Sequence, residues 1–130
     1  MLLTINEKDS RPIYLQIISQ VKEQVSSGVL KPGDELPSVR DLADSLGINM
    51  HTVRSAYLKL RDQGIINLRL GRKARIAPRQ KTANLTIVRD SISERLRELI
   101  IDALLSGMSA DSFRELVNQQ LKEINEEVNR

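Results

Sequence analysis

Arginine and lysine side chains are the groups in this chain best placed to do chemistry, and that chemistry is the gripping of a polyanion. Arg40 and Arg54 stand on either side of a Gly47-Ile48-Asn49 turn. Each carries a planar fork of donors that matches a phosphate or a base edge. Further on, Arg69, Arg72, Lys73, Arg75 and Arg79 fall within eleven residues that hold no acid. Such a run also suits a solvated edge strand kept basic against aggregation. Beside the flanking residues, phosphate neutralisation and minor-groove insertion explain it better.

Bond-making chemistry is not indicated. The single histidine, His51, has no cysteine, second histidine or glycine-rich phosphate loop to work with. Nucleophile, base and orienting group therefore cannot be assembled, and the chain is expected not to be an enzyme. His51 is expected to be a groove-facing donor or merely solvated, and not a metal ligand, because its neighbours Met50 and Thr52 are not usual ligands. No metal and no cofactor is expected.

The cationic residues need elements to position them. Ser38 suits the N-cap of a helix, with Asp41 three residues on as in a capping box. Leu42, Ala43 and Leu46 give that helix one apolar stripe. Gly47 stops it in the left-handed conformation. Asn49 caps a second helix, and Ile48 and Val53 form its hydrophobic staple. Val53, Ala56, Tyr57 and Leu60 make the buried face, which leaves Met50, His51 and Arg54 outward. Gly64 closes this helix. Ile65-Ile66 starts a strand, and Leu70-Gly71-Arg72-Lys73 is the tip of a hairpin, with Gly71 supplying the turn. Two short helices and a basic hairpin form a helix-turn-helix with a wing, a unit that places one helix in the major groove.

An earlier helix completes the unit. Pro12 suits its first turn, Ile13, Ile17, Val21 and Val25 recur every four residues, and Gly28 ends it. Val29-Leu30 is expected as a very short strand and Lys31-Pro32-Gly33-Asp34 as a turn. Beyond Pro78 the composition turns polar and basic, marking a linker to Ala83. Two helices follow. Val88, Ile92, Leu96, Leu99, Ile100, Ala103 and Leu104 line the first, which Gly107 ends. Ser109 caps the second, with Met108 and Phe113 as staple and Phe113, Leu116, Val117, Leu121, Ile124 and Val128 on one side.

The expected fold is mostly α with a small β-wing. Residues 1–79 form a winged helix-turn-helix DNA-binding domain, and residues 80–130 form a helical hairpin for dimerisation. Fifty residues in two helices cannot bury both stripes alone. The simplest partner is the same hairpin of a second chain across a two-fold axis, with Val88, Ile92, Leu96, Leu99, Phe113, Leu116, Leu121 and Ile124 in the interface. Folding back onto the winged unit is the other possibility.

Charge follows this division. Residues 1–79 hold 13 Lys and Arg against 8 Asp and Glu, whereas residues 80–130 hold 7 against 9. The basic half would meet DNA. With one phenylalanine and two tyrosines the chain lacks the stacking platforms of a single-strand binder. The absence of cysteine excludes disulfides and zinc-thiolate sites. No apolar run reaches membrane-spanning length and no signal peptide is visible, so the expected compartment is the cytoplasm.

The stretch from Arg11 to Pro78 resembles the GntR family of bacterial transcription regulators. The resemblance is carried by Pro12-Ile13-Tyr14-Leu15-Gln16-Ile17, by Gly28 through Ala43 with its Pro37-Ser38-Val39-Arg40 core, by Thr52 through Leu60, and by Gly64-Ile65-Ile66. It implies a dimer on a near-palindromic operator. It also implies DNA contacts from Arg40, from Asn49, Met50, His51, Thr52 and Arg54 on the recognition helix, and from Gly71 and Arg72 in the wing; Ser38 and Lys73 beside them are expected to join the contact set. The family's usual Gly-x-Gly-Thr-Phe-Val wing is here Gly71-Arg72-Lys73-Ala74-Arg75-Ile76, which implies a more basic, less tightly turned wing. The short two-helix C-terminal region looks like the YtrA-type branch, whose members commonly act as repressors of transporter operons. The hairpin's apolar faces carry no convergent polar cluster, so no pocket for a small-molecule effector is indicated. A winged helix used only for protein interaction is the competing class. It would need no basic wing and would tolerate acids where Arg40, Arg54 and Arg72 stand.

Overall fold

The computed structural model describes residues 1–78 and 85–128. The chain divides into two compact units, Met1–Arg79 and Gln80–Arg130. The first contains α1 (Ile13–Ser26), α2 (Val39–Leu46), α3 (Met50–Asp62), β1 (Ile66–Asn67) and β2 (Arg75–Ile76). The second contains α4 (Leu85–Leu105) and α5 (Ala110–Val128). The fold is mostly α with a two-stranded wing. Arg79 and the expected linker to Ala83 lie beyond the described residues.

Three helices and the hairpin of the first unit close over one core. Ile17 and Val21 of α1, Leu42 and Ala43 of α2, and Val53, Ala56, Tyr57 and Leu60 of α3 meet Leu30, Leu36, Ile66, Ala74 and Ile76. The expected stripes of α2 and α3 are the ones buried. Their ends are made as their residues dictate. Ser38 Oγ accepts the Asp41 N–H at 3.0 Å. Asn49 Oδ1 accepts the His51 N–H at 2.8 Å. Gly47 takes φ +67 while its N–H and that of Ile48 turn back to the last carbonyls of α2. That left-handed step is open to glycine without a Cβ penalty, and it sets the tight angle between α2 and α3.

The β-structure differs from expectation in one place. Val29-Leu30 is not a strand. Leu30 is buried and its N–H caps α1 on Gln24 O. The bridge falls instead on Glu35, antiparallel to Arg75. The Leu36 N–H donates to Ala74 O, and the Ile76 N–H donates to Asp34 O. The Lys31–Asp34 turn lies between the expected and the observed positions, so the segment pairs with the wing only after it. Strand β1 pairs with β2 antiparallel, Ile66 opposite Ile76, with both side chains buried.

One element has no counterpart in the sequence reading. Residues 2–6 run extended along α1, with Leu3 and Ile5 packed toward the core. Gln16, Gln20 and Gln24, spaced one helical turn apart, bond the intervening backbone. The Asn6 N–H donates to Gln16 Oε1 at 2.9 Å, and Gln16 Nε2 donates back to Asn6 O at 3.1 Å. Thr4 and Gln20 repeat the reciprocal pair at 3.0 and 2.7 Å. Gln24 Nε2 reaches Leu2 O at 2.7 Å. Two residues of strand and four of helix advance by similar distances, about 6–7 Å, so three amides mimic one edge of a β-ladder.

In the second unit α4 and α5 form a hairpin turned at Gly107. The Ser112 N–H donates to Ser109 Oγ, as expected of the cap. The apolar groove between the helices is lined by Leu96, Leu99, Ala103, Phe113, Val117 and Leu121 among others. It is a concavity not foreseen from sequence, and it lacks a convergent polar cluster.

Candidate nucleic-acid interface

Two caps and one clasp place the cationic side chains. Arg40 sits at the second position of α2, just after the Ser38 cap, and is exposed. Met50 and His51 open α3 after the Asn49 cap, and Arg54 follows one turn on; all three are exposed. The buried Tyr57 ties the two helices together, since its hydroxyl donates to Pro37 O, next to the Ser38 cap, at 2.7 Å. Burial pushes the Tyr57 phenol well above its ordinary pKa, so it remains a donor at any physiological pH.

Between the N-termini of α2 and α3 lies a groove of about 440 Å³ lined by Ser38, Val39, Arg40, Met50, His51, Arg54, Tyr57, Leu58 and Leu68. Five of the residues expected from sequence thus converge on one concave surface that has no acidic lining. Arg40 and Arg54 form no ion pair among the described residues. Asn49 lies beside the groove, its side-chain oxygen held by the cap and its amide NH2 still available. Thr52 is half-buried and does not line it. Tyr57, Leu58 and Leu68 line the groove although the sequence reading gave them no such part. Tyr57 was expected only on the buried face of its helix, and Leu58 and Leu68 had no assigned part.

The wing carries Gly71, Arg72 and Lys73 apart from the groove lining. Gly71 takes φ +74, and the Arg72 N–H closes the tip turn on Arg69 O at 3.1 Å. Arg69, Arg72 and Lys73 are exposed and form no ion pair among the described residues. Arg75, grouped with them by sequence, is differently engaged. Its guanidinium pairs with Glu35 at 2.7 Å and donates to Gly33 O at 3.1 Å. It anchors the stem of the wing and leaves the tip to Arg69, Arg72 and Lys73.

Residues 13–76 match the family model of bacterial regulatory proteins, gntR family. Over 118 residues the chain is 40% identical to the HTH-type transcriptional repressor YtrA of Bacillus subtilis (strain 168), which covers 91% of each sequence. The chain belongs to the gntR family. It is a DNA-binding transcriptional regulator, and the family and these relatives are regulators, not enzymes. The match to the YtrA repressor runs past the winged unit into the hairpin, so the likeness is to the YtrA type as well as to the family. Solved structures agree. YtrA of Sulfolobus acidocaldarius, a GntR-family transcription factor, is 37% identical with a TM-score of 0.57, covering 95% of this chain and 99% of that one. A transcriptional antiterminator from Listeria monocytogenes EGD-e is 31% identical with a TM-score of 0.86, covering 95% and 92%. Among the described residues no helix is long and apolar enough to cross a membrane.

Proposed function

We propose that this gntR-family regulator is a cytoplasmic homodimeric repressor that reads a near-palindromic operator through the α2–α3 groove and grips the flanking phosphates with its wing. The groove carries the reading. It gathers Ser38, Arg40, Met50, His51 and Arg54 on one acid-free, exposed surface at the N-terminus of the second motif helix. The helix terminus adds its positive dipole end to that surface, which favours an approaching phosphate. Asn49, Thr52 and the Gly71-Arg72-Lys73 tip complete the proposed contact set. Repression is supported by the likeness to the Bacillus subtilis YtrA, a transcriptional repressor.

Dimerisation through the hairpin is supported by what α4 and α5 leave open. Val88, Ile92, Leu96, Leu99, Leu116, Leu121 and Ile124 are each between 41% and 58% exposed, with Phe113 half-buried among them. Monomers rarely carry so large a contiguous apolar face. The opposite side of α4 adds exposed Ile87, Ile101 and Leu105. A two-fold dimer would present two winged units to two half-sites of one operator.

Footprinting on the promoter of its own operon tests the reading. The expected result is a protected, two-fold-related sequence, with transcription falling as protein is added. Protection without sequence preference, or transcription that rises, would contradict it.

A further inference from the structure

Resting on the DNA-reading groove proposed above, we propose that Met50 selects thymine by packing its side chain against the 5-methyl group in the major groove. Few large apolar side chains of residues 1–78 are exposed. Met1, Leu2, Val29 and Leu70 are at the chain start, a turn and the wing tip, and Met50 is the one that lines the groove. It is 43% exposed at the first position of α3, the end of a recognition helix that meets base edges. Its backbone is fixed from both sides. Asn49 caps the helix, Ile48 packs on the core before it, and Val53 is fully buried behind it.

The neighbours of Met50 in the groove mouth are Arg40, His51 and Arg54, all donors. Donors suit the acceptors of guanine and the phosphates. A thioether has no use for those groups. The base edges of the major groove carry one methyl, on thymine C5, and it is matched by apolar contact. Methionine's unbranched, polarisable chain adapts its shape to such a target better than a branched side chain. Met50 thus supplies an exposed apolar specificity element beside the cationic side chains of the groove.

The test is selection of duplexes from a random pool by the full-length wild type and by Met50→Gln, which keeps length and removes apolarity. Wild type is expected to enrich a thymine column that Met50→Gln loses, while the guanine columns persist in both. Replacing that thymine by deoxyuridine removes only the methyl. It should weaken wild type by about fourfold, the worth of one methyl taken out of water, and leave Met50→Gln unchanged. Equal deoxyuridine sensitivity of the two proteins, or none in wild type, would overturn the assignment to Met50 while leaving the DNA-reading groove intact. A wild type that enriches no sequence would overturn the groove itself and this inference with it.

Discussion

Arg54 and Arg72 are both exposed cations with no partner in the described structure, yet they are expected to contribute differently. Arg54 projects from the recognition helix into the groove shared with Arg40. Arg54→Ala is therefore expected to cost about 1–3 kcal/mol on the operator, the range of a two-pronged base contact, and to relax sequence preference at one position. Arg72→Ala and Lys73→Ala are expected to weaken binding to all duplexes alike and to lower the salt slope by about one each. Gel-shift titration on operator and scrambled duplex at two salt concentrations separates these outcomes. A uniform effect from Arg54→Ala would remove it from the reading surface. Tyr57 works behind both helices. Tyr57→Phe keeps the packing and loses only the bond to Pro37 O, which should lower stability by about 1 kcal/mol in denaturant unfolding. An unchanged midpoint would mean that the bond does not tie α2 to α3.

Elements built on local signals were the legible ones. Ser38, Gly47, Asn49 and Gly64 each dictate a cap or a stop within a few residues, so α2 and α3 could be placed from sequence to within a residue. The apolar spacing of Val53, Ala56, Tyr57 and Leu60 likewise identified the buried face, and by exclusion the outward one. What failed depended on distant pairing. The short strand was placed at Val29-Leu30, whereas tertiary contact with Ala74 and Ile76 selects residues 33–36. Arg75 looked like one more free wing cation because Glu35, forty residues earlier, is not a sequence neighbour. The extended segment at residues 2–6 has no counterpart in the sequence analysis although its signals are present. Leu3 and Ile5 alternate with polar residues, and Gln16, Gln20 and Gln24 repeat at one-turn spacing, but a glutamine row on a helix ordinarily means solvent. The ladder makes a graded prediction. Gln16 is buried and makes three bonds, so Gln16→Ala should destabilise by about 2–3 kcal/mol, at roughly 1 kcal/mol per bond. Gln20, whose two bonds are solvent-exposed, should cost less than about 1 kcal/mol. Urea unfolding of both variants checks the order, and equal small losses would show that the N-terminal segment is not held by these amides.

For the whole molecule the proposed function gives the two units separable duties. The winged unit has a core made entirely of its own residues, so a fragment ending at Arg79 is expected to fold, to be monomeric and to bind a half-site weakly. Leu96→Glu in the full chain should act similarly by placing an unpaired charge in the proposed hairpin interface. Sedimentation of both proteins reads the outcome, and a dimeric 1–79 fragment would put the interface elsewhere. Joining two winged units makes the second half-site contact nearly intramolecular, which multiplies affinity by orders of magnitude. The most direct test of sequence-specific reading by the α2–α3 groove is one titration series. Full-length wild type and the Arg40→Ala/Arg54→Ala double variant are each measured against the selected operator and a scrambled duplex at the same salt. Wild type should bind the operator at least 1,000-fold more tightly than the scrambled duplex, the usual span of specific over non-specific binding, and the double variant should lose most of that ratio while keeping its scrambled-duplex affinity within about tenfold. An operator-to-scrambled ratio unchanged by the double substitution would contradict the account.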